Sequence, residues 1–108
     1  MAPMIRAAKL DRRITIERHT KTVDQYRQER EAWIEIATVW AELLTQSEEE
    51  FRRPFGEEEK AVVGFRIRHL ASLTTKDRVL YRGEAFSIRR LQELGNREGF
   101  DLMCEAVS

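Results

Sequence analysis

The chain has 108 residues, a length that predicts a single domain spanning residues 1–108 with one hydrophobic core. Lysine plus arginine and aspartate plus glutamate are equal at 19 each, so the net charge of zero argues against a protein that holds nucleic acid mainly by bulk charge. The single cysteine, Cys104, excludes an internal disulfide and fits a reducing compartment, so we expect the chain to be cytoplasmic in the cell that makes it.

The N-terminal residues carry charge without an apolar segment. Arg6 and Lys9 lie among small residues, and the apolar region of a secretory signal is missing. We therefore expect residues 1–8 to form a loose N-terminal arm. Because no apolar run approaches the roughly 20 residues that a transmembrane helix needs, we expect no membrane partner.

The first regular element is predicted at residues 13–18, where Ile14 and Ile16 alternate with polar residues as in a half-buried strand. The following residues, 20–31, are polar and charged, and Val23 and Tyr26 are their only large apolar side chains. They contain no glycine or proline, so propensity alone permits a helix, and a long hairpin loop is the alternative.

Residues 33–44 are the most apolar stretch, and both sides of an extended chain would be apolar there. One side carries Ile34, Ile36 and Trp40, and the other carries Ala37, Val39, Ala41 and Leu43. This pattern predicts a strand that is buried on both faces. A single helix over residues 24–44 is the rival interpretation, but the β-branched and aromatic bias favours a strand.

Residues 47–60 form an acidic segment, with six glutamates against three cations and a formal charge of −3. The acidic segment consists of Ser47, Glu48, Glu49, Glu50, Phe51, Arg52, Arg53, Pro54, Phe55, Gly56, Glu57, Glu58, Glu59 and Lys60. It starts with a capping-box pattern, but the proline disfavours helix at the residue before it. We expect a long acidic loop, with or without a short helix, that is either a solvated spacer or a functional loop.

Three further stretches predict strands. Residues 61–70 alternate, and residues 100–107 end the chain in the same way. Between them, residues 78–91 predict two strands around a tight turn, because Gly83 can adopt the positive φ that such a turn needs. About six strands with short connections and one long acidic loop predict an all-β fold, a small antiparallel β-barrel or sandwich. A closed barrel would also hide the strand edges.

No catalytic constellation is visible in the sequence. His19 and His69 are isolated from any metal-ligand spacing, and we interpret His69 as a structural histidine. Cys104 falls in the inward register of the last strand, as expected of a small buried apolar residue. The sequence therefore predicts neither an enzyme nor a cofactor or metal site.

Four arginines on predicted strands are candidate contact residues: Arg66, Arg68, Arg89 and Arg90. Arginines on one sheet face could follow the phosphates of a nucleic acid, although the aromatics needed for base stacking are required in the core. Ion pairing with the equal number of carboxylates is the simpler interpretation. The same residues would also suit contacts between subunits, because arginine binds carboxylates bidentately.

The order of the segments resembles the phage head–tail joining family, the small connector or stopper proteins of long-tailed phages. The resemblance covers roughly residues 9–107 and is carried by residues 10–16, 33–44, 65–68, 77–88 and 102–105. Residues 77–88, with the turn at Gly83, are the strongest match. The resemblance implies a small β-barrel, with residues 20–31 as a hairpin loop. This chain lacks the glycine that the family usually has in that loop, so a local helical turn remains open.

The resemblance also implies a structural role in the particle. Copies would form a homo-oligomeric ring, with a portal or adaptor ring above it and a tail terminator or tail tube below it. The ring would retain packaged DNA and let it pass on ejection, and the acidic segment would line or gate the channel. A β-barrel that binds nucleic acid through the four arginines, and a related adaptor or tail-completion protein, are the alternatives.

Overall fold

Antiparallel strands dominate the computed structural model, which describes residues 5–44, 52–55 and 58–107. A short 3-10 helix at Ala7–Lys9 precedes them. The strands are β1 (Arg12–Val23), β2 (Glu29–Leu43), β3 (Arg52–Phe55), β4 (Glu58–Arg68), β5 (Arg78–Tyr81), β6 (Glu84–Leu94) and β7 (Gly99–Ala106). Among these residues, no helix is long and apolar enough to span a membrane.

Six of the strands close into a barrel. Their order is β2-β1-β5-β6-β7-β4, and β4 pairs again with β2 through Ala41–Leu43, which completes the ring. The remaining strand, β3, pairs with the start of β4 and, within the described part of the chain, with no other strand, so it lies outside the barrel. The predicted all-β barrel of about six strands is confirmed, and its closure satisfies most of the strand edges.

Alternate residues of the barrel strands point inward and form one core. On β4, for example, Val63, Phe65 and Ile67 are fully buried, as the alternation predicted. The core contains Ile14, Ile16, Ala41, Val63, Phe65, Ile67, Leu73, Val79, Tyr81, Phe86, Ile88, Phe100, Leu102 and Cys104. The rings of Phe65 and Tyr81 meet edge to face at 5.2 Å, which favours a defined arrangement over loose packing.

The β5–β6 hairpin turns through two residues, as the sequence predicted. Tyr81 pairs with Glu84, and the intervening Arg82 and Gly83 have φ angles of 52° and 77°. Positive φ at both central residues defines the type I′ turn, whose twist matches that of the flanking strands.

The β1–β2 hairpin extends well past the barrel. β5 pairs with β1 only at Thr15–Glu17, and β4 pairs with β2 only at Ala41–Leu43. The rest of the hairpin, residues 18–34, forms a two-stranded arm. Residues 20–31 form a hairpin, so the helical alternative is wrong, but the predicted long loop is limited to residues 24–28 because β1 continues to Val23 and β2 begins at Glu29.

The arm also corrects the prediction of a strand buried on both faces at residues 33–44. Trp40 is 50% exposed and Trp33 is 39% exposed, and Ile34 is exposed as well. The inward side of β2 packs on the core through Val39 and Ala41, as predicted. Among the described residues, nothing forms a second layer over the other side, which the local pattern of residues could not reveal.

The turn at the tip of the arm is built around Asp24. The carboxylate oxygen Oδ1 of Asp24 accepts hydrogen bonds from the backbone N–H groups of Tyr26 and Gln28 at 2.9 and 3.0 Å. These bonds, together with the ion pair to Arg30, lower the pKa of Asp24. Arg27 takes a φ of 59° in this turn, the conformation for which glycine is the usual residue.

The predicted acidic loop, residues 47–60, is partly a β-hairpin. Arg52–Phe55 pairs with the start of β4, so these residues form neither a loop nor a short helix. Pro54 is tolerated because β3 is an edge strand, where a missing N–H costs no ladder hydrogen bond. Residues 47–51 and 56–57, including the capping-box pattern, lie outside the described residues.

The expected loose N-terminal arm is anchored at Ile5, whereas Arg6 to Lys9 are exposed. Ile5 is buried, and its side chain lies directly over Gly99 at the start of β7. The four residues before it lie outside the described part of the chain.

Candidate functional site

The acidic segment follows β2 and enters β4, and this connectivity sets its place on the barrel. β4 joins the barrel at Val62, where it begins to pair with β7, and its earlier residues pair only with β3. The β3–β4 hairpin therefore continues β4 beyond the barrel. The β1–β2 arm precedes the barrel part of β2, whereas the hairpin follows its end, so the two extensions leave opposite ends of this strand.

Two of the four candidate arginines are ion-paired within the chain. Arg66 binds Asp101 bidentately, with Nε–Oδ1 and Nη2–Oδ2 distances of 2.7 and 2.9 Å, and this pairing raises the pKa of Arg66. Arg89 lies 3.3 Å from Glu105. For these two residues the structure supports the ion-pair interpretation.

The other two arginines, Arg68 and Arg90, are exposed, and they lie apart. Arg68 ends β4 beside the N-terminal segment, whereas Arg90 lies on β6 opposite Met103 of β7. A β-bulge between Ile88 and Arg90 adds Arg89 to the outer surface next to Arg90. Within the described residues, neither Arg68 nor Arg90 lies in an ion pair.

An unpredicted pair of tryptophans shares one outer surface. β2 has one extra residue, Ile36, opposite the Ile16/Glu17 step of β1, and this bulge reverses the alternation of side chains. Trp33 lies across from His19 and Trp40 lies across from Arg13, so both indoles point outward from the barrel. Without the bulge, an odd and an even residue of one strand would lie on opposite faces.

Each of these tryptophans carries an arginine over its ring. The guanidinium of Arg78 lies 4.1 Å from the centroid of Trp33, and that of Arg13 lies 5.0 Å from the centroid of Trp40. Arg78 also donates to Glu17 at 2.8 Å, which fixes its position. Tryptophan and arginine are the residues most enriched at the energetic centres of protein interfaces.

A buried carboxylate, Asp77, was also missed by the sequence analysis. Arg18 donates to both of its oxygens at 2.9 and 3.1 Å, and the backbone N–H of Thr74 donates to Oδ2 at 3.0 Å. The hydrogen bonds and charge of Asp77 raise the pKa of Arg18. The only sequence signal for this buried pair was Arg18, which shares the inward register of Ile14 and Ile16 on β1. Nothing in the sequence indicated that Asp77 is its partner.

Two concave regions flank the tryptophans. A groove of about 430 Å³ is lined by Ala7, Leu10, Val39, Trp40, Arg68 and His69. A cleft of about 510 Å³ is lined by Arg18, His19, Trp33, Thr74, Lys76 and Asp77. His69 stacks on Phe100 at 5.0 Å, consistent with a structural histidine. Among the described side chains, no cluster of histidine, cysteine and carboxylates is placed to hold a metal.

Cys104 is buried in the core, as its inward register predicted. Burial raises the pKa of its thiol to about 12, because the apolar surroundings disfavour the thiolate. It is therefore a packing residue and an unreactive thiol.

The fold defines a small antiparallel β-barrel protein with an exposed aromatic surface. The chain belongs to the phage head completion protein family, whose model matches residues 5–107. It is thus a structural component of the phage head, and the resemblance to phage head–tail proteins is confirmed. No curated protein matches the chain.

Two solved structures share the fold. One is the solution structure of a Shigella flexneri 2a protein, with a TM-score of 0.71 and 20% identity over 96% of this chain and 98% of that chain. The other is a chain from the virion of a native gene transfer agent particle, with a TM-score of 0.61 and 19% identity over 90% of this chain and 92% of that chain. At these identities the similarity shows the fold alone.

Proposed function

We propose that the protein is a head–tail connector of the stopper type. Copies assemble into a homo-oligomeric ring beneath the portal or adaptor ring, retain the packaged DNA, and present a docking surface to the tail terminator or tail tube. The observation that carries the proposal is the match to the head completion family over residues 5–107. Such a protein acts without a cofactor and is not an enzyme, and it passes from the host cytoplasm into the virion.

The architecture supports separate roles for the rigid barrel and for its extensions. The closed barrel supplies a fixed body, and the β3–β4 hairpin continues β4 beyond it. In this proposal the acidic segment, residues 47–60, lines the channel. Its charge of −3, repeated around a ring, forms an acidic collar that repels DNA and keeps it from adhering during passage.

The connector is tested with virions from a strain that lacks the gene and is complemented in trans. Without the protein, we expect filled heads that lose their DNA and do not join tails, and the wild-type chain should restore both. Heads that retain their DNA and join tails in the absence of the protein would overturn the connector function.

The channel role of the acidic segment needs its own variant. Glu48→Gln, Glu49→Gln and Glu50→Gln together should change DNA retention or the rate of ejection, because they remove half of the segment's six negative charges. The matched control replaces Glu84, Glu93 and Glu98 by glutamine, since these exposed residues lie on other connections or strands. If both triple variants behave like the wild type, the segment is only a spacer.

A barrel that binds nucleic acid through Arg66, Arg68, Arg89 and Arg90 is the competing proposal. The structure weakens it, because Arg66 and Arg89 are occupied by Asp101 and Glu105. DNA binding by the purified chain, titrated with salt, separates the two functions. Sub-micromolar binding that weakens steeply with salt would favour the nucleic-acid module over the connector.

A further inference from the structure

Two exposed faces lie on opposite sides of the barrel. The first, the tryptophan face, is the outer surface of β1 and β2 with Trp33, Glu35 and Trp40. The second, the methionine face, is the outer surface of β6 and β7 with Arg90, Met103 and the following Val107. In the closed order β2-β1-β5-β6-β7-β4, β1 lies three strands from β7 and β2 lies three strands from β6. The two faces therefore point in opposite directions.

Each face exposes large apolar side chains that the barrel does not cover. Trp40 and Trp33 are 50% and 39% exposed on the first face, and Met103 is 39% exposed on the second. Val107, which is also exposed, continues the β7 ladder through a hydrogen bond from its N–H to Ala85 O at 3.0 Å. Exposed tryptophan, methionine and arginine are enriched in protein interfaces relative to the rest of a protein surface.

Glu35 on the tryptophan face and Arg90 on the methionine face offer one complementary pair of charges, while the tryptophan face also carries Arg13 over Trp40. Glu35 lies directly across from Glu17, a position where like charges oppose each other, and Arg78 neutralises only Glu17. Glu35 accepts a hydrogen bond from the hydroxyl of Thr38, but within the described residues it has no cation. On the methionine face, Arg90 lies across from Met103 and pairs with no carboxylate among the described residues. Each face thus has a charge that the other can pair.

We propose that the tryptophan face of one copy binds the methionine face of the next, with Met103 against the indole surface and Arg90 paired to Glu35. Thioether contacts with aromatic rings are favourable, and an arginine–carboxylate pair adds orientation. Since the contact joins two different faces, it is heterologous and repeats from copy to copy. The proposal rests on the connector function for its setting, because a closed chain of such contacts is a ring.

The opposed placement of the faces has a consequence for the assembly. Copies joined through opposite sides turn little at each contact, so many are needed before the chain closes. The contact uses Trp33 at the base of the β1–β2 arm and leaves the tip of the arm and the acidic segment free, because the acidic segment follows the other end of β2. The lateral contact and the proposed channel surface therefore use different residues.

Cross-linking tests the contact with two single substitutions, Glu35→Cys and Arg90→Cys. Native Cys104 is buried with a raised thiol pKa, so it does not compete for a maleimide reagent. Virions that incorporate both variants, treated with a short bis-maleimide, should give the mixed cross-link. Cross-links between two Glu35→Cys copies would indicate a symmetric contact and would overturn the proposal, as would the absence of any mixed product.

Charge reversal gives a second readout that misfolding cannot imitate. Glu35→Lys and Arg90→Glu should each reduce incorporation into virions about tenfold or more, and the double variant should recover most of it. Tyr26→Ser, at the exposed tip of the arm, is the matched control and should assemble normally. Equal incorporation of all four chains would overturn the contact.

The two proposals fail in distinguishable ways. If the protein is needed for DNA retention but no mixed cross-link forms, the faces are wrong and the connector function stands. If heads keep their DNA and join tails without the protein, the connector function fails. Mixed cross-linking of the purified, concentrated chain would then still support the contact, and its absence would overturn it.

Discussion

Arg18 and Asp77 join the base of the β1–β2 arm to the loop before β5. The Nε of Arg18 donates to Oδ1 of Asp77 at 2.9 Å, and Asp77 is only 2% exposed. The Nη2 of the same arginine donates to the carbonyl oxygen of Ser72. Residues 59 positions apart in the chain thus hold the arm in a fixed direction relative to the barrel.

Asp77→Ala should destabilise the fold and loosen the base of the arm. The substitution leaves the N–H of Thr74 without its acceptor and Arg18 without its carboxylate, and the loss of a buried hydrogen-bonded acceptor costs about 1–3 kcal/mol. Chemical denaturation measures the free energy of unfolding. Asp11→Ala, at an exposed carboxylate near the start of β1, is the control and should change it little. A variant as stable as the wild type would show that the pair is dispensable.

Much of the barrel could be predicted because its strands carry their own signals. Val63, Phe65 and Ile67 alternate with Gly64 and Arg66, and Gly83 marks the β5–β6 turn. Both the strand and the turn can therefore be predicted from neighbouring residues alone. The two bulges carry no such signal. Ile36 and Arg89 are the extra residues, and each depends on the register of a partner strand. The exposure of Trp40 was missed for a similar reason, because no local pattern shows where neighbouring strands stop.

Arg27→Gly should stabilise the protein. Arg27 has a φ of 59° in the turn at the arm tip, and this conformation costs an L-residue about 1–2 kcal/mol. Glycine avoids this strain, but it is also more flexible in the unfolded chain, and that flexibility offsets part of the gain. We expect a gain of about 0.5–1 kcal/mol in the free energy of unfolding. Arg27→Ala, which removes the side chain but keeps the strain, should give no gain. A gain of equal size in the alanine variant would assign the effect to the arginine side chain.

Cys104 should resist alkylation in the folded protein. Its thiol pKa is raised from 9.0 to about 12, so the reactive thiolate is scarce at pH 8 and is also shielded. Iodoacetamide labelling should be slow without denaturant and fast in it. The unfolded thiol ionises near 9.0, so the stability contributed by the neutral thiol is lost between about pH 9.0 and 12. Rapid labelling under native conditions would contradict the buried position.

Gly99→Ala should destabilise the protein because β7 begins where two other segments meet. A Cβ at this position would overlap the side chain of Ile5 and the backbone carbonyl oxygen of Ile67. The isoleucine side chain can move, but the carbonyl belongs to β4, which pairs with β7 at this point. Overpacking of this kind costs about 1–3 kcal/mol.

The double variant Gly99→Ala with Ile5→Ala separates the two clashes. Removing the isoleucine side chain relieves the first clash, but Ile67 O remains in place, so we expect the double variant to stay destabilised. Ile5→Ala alone measures what the docked N-terminal segment contributes. If the double variant were as stable as Ile5→Ala alone, β7 could shift away from β4 without cost, and the close approach at Gly99 would not constrain the barrel.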